Sequence, residues 1–305
     1  ILTPTAYDNG KALCVKPSDG SGDFDFSRNS AATRVNAQGL VETIGINLPR
    51  INYEGFSYDG SGNIIPNSGC GSWLFEPQST NLIPYSENFG QWIANGGASV
   101  QSGFLAPDGT NNAYKVSGTG SSSLIFSSVT NTTDTRTIYA KTVSGTGDVY
   151  LCGNLNDANA LFTVTDQWQR FELNGFTGGG ATTFSAVDFR GSSTLTEVVI
   201  WGAQNESLSY ATSYIPTSGA TVTRNQDVCT GAGDATTFND SEGVLYFEGS
   251  SLVNGGVNRD ISISDGTNNN LVMFRYDATA GRLTSYVRGG GGAYTIKTTT
   301  GFTQT

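Results

Sequence analysis

Apolar and polar residues alternate along the chain in short runs separated by polar or glycine-rich turns. Residues 137–143 alternate in this way, and residues 149–152 follow the turn at 144–148 as the predicted return strand of a hairpin. Runs bounded by Gly, Asn, Asp or Ser roughly every 8–12 residues are typical of β-sandwiches and barrels. No segment shows a convincing helical period. The pattern therefore predicts an all-β fold.

Two further segments refine this prediction. Residues 198–201 (Val-Val-Ile-Trp) are continuously apolar, as expected of a strand that is buried on both faces. Residues 271–276 and 282–287 flank residues 277–281, and this spacing predicts a hairpin with a loop that contains glycine.

The density of strand patterns divides the chain into regions. Residues 1–84 form a small, polar, turn-rich N-terminal segment, and residues 85–216 carry enough strands and aromatic residues for one sandwich. Residues 217–240 are small and polar and are predicted to be a linker. Residues 241–305 begin another series of strands and contain too few strands to close a sandwich. The predicted fold class is all-β, with tandem β-sandwich domains after the N-terminal segment.

The charge balance narrows the range of partners. The 305 residues carry a net charge of −10, with a pI of about 4.4. Nucleic acids and anionic membrane surfaces are recognised by clustered Lys and Arg, so neither is an expected partner. No apolar run is long enough to span a bilayer. The first ten residues do not resemble a signal peptide, and the chain does not open on Met, so we expect residues upstream.

The chain contains no histidine, which excludes most hydrolytic mechanisms. Ser-His-Asp and Cys-His catalysis and His-ligated metal centres all require this side chain. Glycosidase chemistry needs only two carboxylates, but no pair stands out. The glycine runs at 178–180 and 289–292 are predicted loop tips and not phosphate-binding loops. We therefore predict that the chain is not an enzyme.

The cysteines and the acidic turns offer little metal chemistry. The four cysteines lack the close pairs of zinc sites and are expected to be lone buried thiols, although a disulfide stays open as an alternative: Cys14, Cys70, Cys152 and Cys229. Residues 19–23 with Asp25, and residues 59–63, place oxygen ligands at alternate positions as calcium loops do. Both also fit ordinary turn chemistry, so no cofactor is expected and calcium is the alternative.

Aromatic residues provide the candidate binding face. Trp168 and Trp201 lie within strong strand patterns and are predicted to be core residues. Tyr139 and Tyr150 lie on predicted neighbouring strands, with Asn154 just beyond. An aromatic face framed by amides suits a sugar ring, so these three residues form a candidate carbohydrate-binding site. Ordinary sandwich packing is the alternative.

Several motifs together resemble a known family. They occur, in order, at residues 24–36 (FDFSRNSAATRVN), 39–42 (GLVE), 47–53 (NLPRINY), 74–82 (LFEPQSTNL), 85–89 (YSENF), 199–204 (VIWGAQ) and 211–217 (ATSYIPT). This series resembles bacteriophage minor structural proteins, the tail-fibre and head-fibre components of the particle. The resemblance implies a place on the virion surface, contacts with other virion proteins, and a homo-oligomer such as a trimer.

Two further resemblances concern the domains. Residues 81–216 are similar to the jelly-roll carbohydrate-binding modules found beside polysaccharide hydrolases. Residues 241–305 look like the opening of a concanavalin-like or laminin-G-like sandwich, and this resemblance implies that residues 242–247 form its first strand. Both folds are frequent sugar binders, which implies adhesion to host-surface glycans, although fold alone does not establish function. Given the net negative charge, a neutral or cationic glycan is expected.

Three arginines within the motifs, Arg28, Arg34 and Arg50, have two possible roles. Each lies where a guanidinium could bridge several backbone carbonyls and staple a small domain. The alternative is that they dock onto another virion protein and form a virion-attachment site. The predicted function is a fibre or decoration protein that binds glycans. The alternatives are a purely structural component without a ligand and, less favoured, a polysaccharide depolymerase.

Overall fold

The computed structural model shows a chain built almost entirely of strands and turns. The residues it describes are 4–8, 11–14, 19–53, 56–58, 64–66, 71–125, 134–176, 183–234, 236–237, 242–247, 249, 251, 256, 258–290 and 292–300. The helices of this part of the chain are two single-turn 3-10 helices, η1 (Phe89–Gln91) and η2 (Ala158–Ala160). The predicted all-β fold class is confirmed. The chain divides into two compact units, Ile1–Asp234 and Ala235–Thr305.

Most strands are short because glycine and small polar residues interrupt them. In chain order they are β1 (Pro4–Asp8), β2 (Lys11–Cys14), β3 (Phe24–Ser27), β4 (Ala32–Val35), β5 (Val41–Ile44), β6 (Arg50–Asn52), β7 (Phe56–Tyr58), β8 (Ile64–Pro66), β9 (Ser72–Leu74), β10 (Ser79–Asn81), β11 (Ile93–Asn95), β12 (Ser99–Phe104), β13 (Ala113–Ser117), β14 (Ser123–Ile125), β15 (Thr135–Lys141), β16 (Gly147–Leu151), β17 (Leu161–Val164), β18 (Gln169–Asn174), β19 (Ser185–Asp188), β20 (Glu197–Glu206), β21 (Val222–Arg224), β22 (Val228–Thr230), β23 (Arg259–Ser264), β24 (Leu271–Tyr276), β25 (Arg282–Gly289) and β26 (Gly292–Thr300).

The centre of the first unit is a β-sandwich of two five-stranded antiparallel sheets. Sheet A has the order β11-β14-β19-β16-β17, and sheet B has the order β12-β13-β20-β15-β18. Apolar side chains from the facing surfaces of both sheets, such as Leu124, Leu151, Ile138 and Ile200, are fully buried in one core. Burying each such side chain stabilises the fold by roughly 1.5–3 kcal/mol. The continuously apolar run at 198–201 lies in β20, the central strand of sheet B, and is buried on both faces as predicted.

Val41 of the N-terminal segment packs on the outer face of sheet B, and the segment forms several small antiparallel sheets. These pair β4 with β5, β6 with β9 and β7 with β8, while β1, β2 and β3 form a four-stranded sheet with β22. In addition, β10 pairs with β21. Two strands that follow the sandwich in the sequence, β21 and β22, therefore pair with strands of the N-terminal segment.

The prediction of a linker over 217–240 is wrong for residues 222–230. These residues form β21 and β22, and Arg224 is only 1% exposed. The polar composition misled the prediction because here the segment is held by backbone pairing and buried ion pairs and not by large apolar side chains. The other predicted domain boundaries stay predictions.

The second unit contains one antiparallel sheet of consecutive strands, β23-β24-β25-β26. The predicted hairpin is confirmed, because Tyr276 of β24 lies opposite Leu283 of β25 across the predicted loop. The predicted first strand at 242–247 is wrong. This segment has no strand pairing among the described residues, and Val244 and Tyr246 are 90% and 78% exposed. A family resemblance suggested this strand, but the described strands of the second unit pair with one another and not with this segment.

Candidate functional site

The structure separates the three residues of the predicted carbohydrate-binding face. Strand β15 pairs with β20 and β18 in sheet B, whereas β16 pairs with β19 and β17 in sheet A. Tyr139 therefore lies on the outer face of sheet B, and Tyr150, 6% exposed, lies in the core between the sheets. Asn154 is buried in the loop after β16, where its Oδ1 accepts a hydrogen bond from the Asn156 N–H at 3.0 Å. The predicted hairpin and patch are wrong because the turn at 144–146 crosses between sheets.

An aromatic cluster of Tyr139, Trp201 and Tyr214 occupies one part of the outer face of sheet B. Trp201 contacts Tyr139 with ring centroids 5.3 Å apart and Tyr214 with centroids 4.6 Å apart. Val41 from the N-terminal segment packs against the same cluster, and Trp201 is only 1% exposed. The prediction that Trp201 is a core residue is thus confirmed, but its core is a second one outside the sandwich.

One glycine in β20 allows the aromatic cluster to pack this closely. Gly202 has a φ of +64°, a conformation that L side chains rarely adopt. A Cβ atom at this position would lie 3.1 Å from Cδ2 of Tyr139 and 3.3 Å from Cε2 of Tyr214. The β-ladder between β15 and β20 also shifts register here, between Thr137 and Tyr139. The irregularity in β20 therefore creates the space that the two tyrosines fill.

Next to the aromatic cluster, five outward-facing residues form a row that crosses four strands of sheet B and ends at the residue before the fifth strand, β18. We call Trp168, Lys141, Val199, Lys115 and Gln101 the outer row. Val199 lies opposite both Lys141 and Lys115, and Lys115 lies opposite Gln101. Trp168 precedes β18 beside Lys141, whose Nζ is 5.4 Å from its ring centroid. At an interstrand spacing of about 4.8 Å, the row is roughly 19 Å long.

The outer row combines an aromatic surface with hydrogen-bond donors. Trp168, predicted to be a core residue, is only partly buried and lies outside the sandwich core. Its Nε1 is itself buried and has no acceptor among the described residues, so the exposed part of the ring, and not this N–H, is accessible to a ligand. At the other end of the row, Lys115 Nζ lies 3.2 Å from Glu197 Oε2, and both side chains are partly exposed. This surface carries local positive charge, although the whole chain is acidic.

A buried ion-pair network joins the N-terminal segment to the residues that follow the sandwich. It consists of Arg28, Arg50, Arg224, Glu76 and Asp227, whose side chains are at most 2% exposed. The Asp227 carboxylate accepts from Arg28 Nη1 at 2.9 Å and from Arg50 Nη2 at 2.5 Å. The Glu76 Oε2 atom accepts from Arg50 Nη1 and Arg224 Nη1, both at 2.8 Å.

The arginines of the predicted virion-attachment site all make internal contacts. Arg28 donates to the carbonyl oxygens of Ser30 and Gly45, at 3.0 and 2.8 Å. Arg34 donates from Nε to Glu42 Oε1 at 2.6 Å and keeps a side-chain exposure of 18%. Arg28 and Arg50 have no exposed side-chain surface. The attachment interpretation is therefore wrong for these two residues, since a docking guanidinium must be accessible; the stapling alternative describes their contacts.

Burial and neighbouring charges shift the pKa values of residues in and beside the network. Burial raises the pKa of the Glu76 carboxyl, but Arg224 and Arg50 outweigh this effect and hold its pKa below the usual value. Nearby, the Tyr214 hydroxyl donates to Glu87 Oε1 at 3.0 Å. There burial dominates and raises the pKa of Tyr214 and also that of Glu87. The carboxylate form is therefore favoured at Glu76 and disfavoured at Glu87, relative to an ordinary glutamate.

The motifs that carry the family resemblance converge at this junction. Asn81 Nδ2 donates to the carbonyl oxygens of Ala203 and Ile215, at 3.1 and 2.8 Å. The Ser213 N–H donates to Glu76 Oε1 at 2.6 Å, bringing motifs 137 residues apart into contact. These motifs thus build the connection between the N-terminal segment and the sandwich.

The candidate calcium and cysteine sites show ordinary packing where they are described. Asp19 Oδ1 accepts from the N–H and the hydroxyl of Ser21, which closes a local turn. The second loop, 59–63, lies outside the described residues. Within the described part of the chain, no group of three or more Cys, Asp or Glu side chains could hold a metal ion. Cys152 and Cys229 form no disulfide, and burial raises the pKa of the Cys152 thiol; the side chains of Cys14 and Cys70 are not described.

No helix among the described residues has the length and apolar character needed to cross a membrane. No protein-family model and no curated protein matches the chain.

Some solved structures show distant similarity. One is the Clostridium thermocellum xylanase 10B with its CBM22-1 and GH10 modules in complex with xylohexaose, at 13% identity over 45% of this chain and 30% of that chain, with a TM-score of 0.27. Another is the family 11 carbohydrate-binding module of the C. thermocellum cellulase Lic26A-Cel5E, at 13% identity over 38% and 85%, with a TM-score of 0.22. At TM-scores this low, the similarity carries no argument about a site or a ligand.

Proposed function

We propose that this chain is a non-enzymatic surface component of a bacteriophage particle and that it binds host-surface glycans through the outer row of sheet B. The observation that carries the binding proposal is the row itself. Two lysines and a glutamine lie in register across four strands of one sheet, and a half-buried indole lies beside Lys141 at the end of this row. Sugars are bound by stacking of their apolar faces on aromatic rings and by hydrogen bonds to their hydroxyl groups.

The dimensions of the row favour an extended chain over a single sugar. Val199 at the centre of the row is only 1% exposed, so a linear glycan that crosses the sheet would contact the two ends of the row, Trp168 and Lys141 at one and Lys115 and Gln101 at the other. The Lys141 ammonium over Trp168 can swing aside on its flexible stem and donate to a hydroxyl group, while the indole receives the sugar ring. Gln101 and Lys115 supply further donors at the opposite end.

The proposed binding is weak at each site and strengthened by display. A single shallow row of this kind has an expected dissociation constant near the millimolar range, about −4 kcal/mol. Many copies on one particle raise the effective concentration of the sites. A homo-oligomer, such as the trimer implied by the family resemblance, would already display several sites together.

The proposed place on the particle is supported by the motifs and by their structural role. The motif residues form a buried junction that fixes the sandwich to the N-terminal segment, as a display protein requires. This same observation favours a second candidate function, a purely structural component without a ligand. The lack of enzymatic activity is consistent with the outer row, where the neighbouring carboxylate Glu197 is paired with Lys115 and not with a second carboxylate.

A glycan array tests the binding proposal. The intact chain is displayed as a multimer, together with a Trp168→Ala variant and a Trp73→Ala variant that removes an indole from the β6–β9 sheet. We expect binding by the parent and by Trp73→Ala, and its loss in Trp168→Ala. If the parent binds no glycan, the structural function is preferred, and release of shortened sugars would contradict the non-enzymatic assignment. Immunogold labelling of particles tests the location separately.

A further inference from the structure

The sheet of the second unit has two chemically different faces. Ile261 and Ile263 of β23 lie opposite Phe274 and Val272 of β24 on one face, and each is 36–41% exposed. The residues between them point to the other face, which we call the polar face because charged and hydroxyl side chains surround its two apolar residues, Leu271 and Met273. Successive side chains of a strand point to opposite faces of the sheet, so the two faces differ in their chemistry.

The polar face contains a groove of about 220 Å³. Its centre is a row of three residues in register across β23, β24 and β25, namely Ser262, Met273 and Tyr286. Met273 and the adjacent Leu271 are 7% and 9% exposed and form an apolar floor. Tyr286 forms an aromatic wall beside this floor, and a groove of about 220 Å³ can accommodate a single six-membered ring.

One arginine stands at each end of this groove, and the two are in different electrostatic states. Arg275 forms a two-point ion pair with Asp260, at 2.8 and 2.7 Å, and its guanidinium lies 5.3 Å from the Tyr286 ring centroid. Arg288 is exposed and donates from Nη1 to the Asn268 carbonyl oxygen at 3.1 Å. No carboxylate among the described residues lies within ion-pair distance of Arg288. The groove thus carries one uncompensated positive charge in a strongly acidic chain.

We propose that this groove is a second binding site, specific for a sugar that bears a carboxylate, such as a uronic acid. The carboxylate pairs with the guanidinium of Arg288, which offers parallel N–H donors in the geometry that a carboxylate accepts. The apolar face of the sugar ring lies on Met273 and against Tyr286. The Ser262 hydroxyl and the Asp260 carboxylate are positioned to bind ring hydroxyls. This site is independent of the outer row of sheet B.

Two ligands that differ only in the carboxylate test this specificity. Methyl β-D-glucuronide and methyl β-D-glucoside are titrated into the intact chain and followed by NMR. We expect the glucuronide to bind about tenfold or more tightly than the glucoside, the difference that a charge-assisted hydrogen bond supplies. Sodium acetate, which has the carboxylate without the ring, is expected not to displace it. Equal binding of the two glycosides, displacement by acetate at equal concentration, or no binding would overturn the proposal.

Matched arginine variants locate the site. Arg288→Gln removes the positive charge of the groove, whereas Arg282→Gln changes an arginine on the same strand, outside the groove and beside Asp277. We expect Arg288→Gln to weaken glucuronide binding about tenfold or more, and Arg282→Gln to keep it within twofold. Equal losses in both variants would contradict the site. Trp168→Ala should leave glucuronide binding unchanged, so that failure here and failure of the outer-row proposal are distinguished.

Discussion

Arg50 and Asp227, 177 residues apart in the sequence, form a salt bridge in which neither side chain is exposed to solvent. Arg50 begins β6 in the N-terminal segment, and Asp227 lies between β21 and β22, after the sandwich. Because Asp227 also pairs with Arg28, one carboxylate holds two separate parts of the N-terminal segment. The salt bridge thus links the N-terminal segment to the residues that follow the sandwich.

Removal of the Asp227 carboxylate should strongly destabilise the first unit. Asp227→Ala leaves Arg28 and Arg50 buried without their anion, and breaking one partner of a buried pair typically costs about 3–5 kcal/mol. Urea unfolding monitored by the fluorescence of the sandwich tryptophans measures this loss. The control is Lys11→Ala, which breaks the exposed pair with Asp25 and should leave the unfolding midpoint unchanged. Equal midpoints for the two variants would show that the network does not stabilise the unit.

The stability contribution of Glu87 should depend on pH with a definite sign. Burial raises the folded-state pKa of this carboxyl above its usual value of 4.5. Its favourable contribution is therefore complete below about pH 4.5 and is lost as the pH rises through the folded-state pKa. Glu87→Gln cannot ionise, so its stability relative to the parent should increase between pH 4 and pH 7. A constant difference across this range, measured by urea unfolding, would contradict the effect of partial burial on Glu87.

Gly202→Ala should destabilise the sandwich by more than its backbone conformation alone requires. A positive φ costs a side-chain-bearing residue roughly 1–2 kcal/mol, and the new methyl group also meets Tyr139 and Tyr214. Crowding of this kind adds about 1–3 kcal/mol. The control is Gly97→Ala, where φ is +83° and no atom of the described residues lies within 4 Å of the added Cβ. If both variants lose the same free energy of unfolding, the close packing at Gly202 is not significant.

Local sequence patterns predicted the positions of the strands better than they predicted which strands pair with each other. Residues 137–143 and 149–152 were predicted as strands, and β15 and β16 largely coincide with them. Alternation shows which side chains share a face of one strand, but it does not show which sheet the strand joins. The hairpin at 271–287 was predicted correctly because its two strands are adjacent in the same sheet and the loop is short.

The candidate sites depend on contacts that no local pattern contains. Trp168 was visible as an aromatic residue, but its row with Lys141 and Lys115 results from the register of strands far apart in the sequence. Asp227 was assigned to a linker because its partners lie 177 and 199 residues away. The motif arginines, in contrast, gave a usable signal, since guanidinium groups among Asn and Ser favoured the carbonyl contacts that Arg28 makes.

The most direct test of glycan binding by the outer row is the indole N–H spectrum of the intact chain. The chain has four tryptophans, so a ¹⁵N-labelled sample gives one Nε1–H signal from each, and Trp168→Phe assigns the signal of Trp168. When a glycan selected on the array is added, the Trp168 signal should shift progressively. The Trp92 signal should stay constant, because its Nε1 donates to the Tyr85 carbonyl oxygen at 2.9 Å and its ring is 6% exposed. A bound glycan that leaves the Trp168 signal in place, or that shifts Trp73 instead, would contradict the proposal.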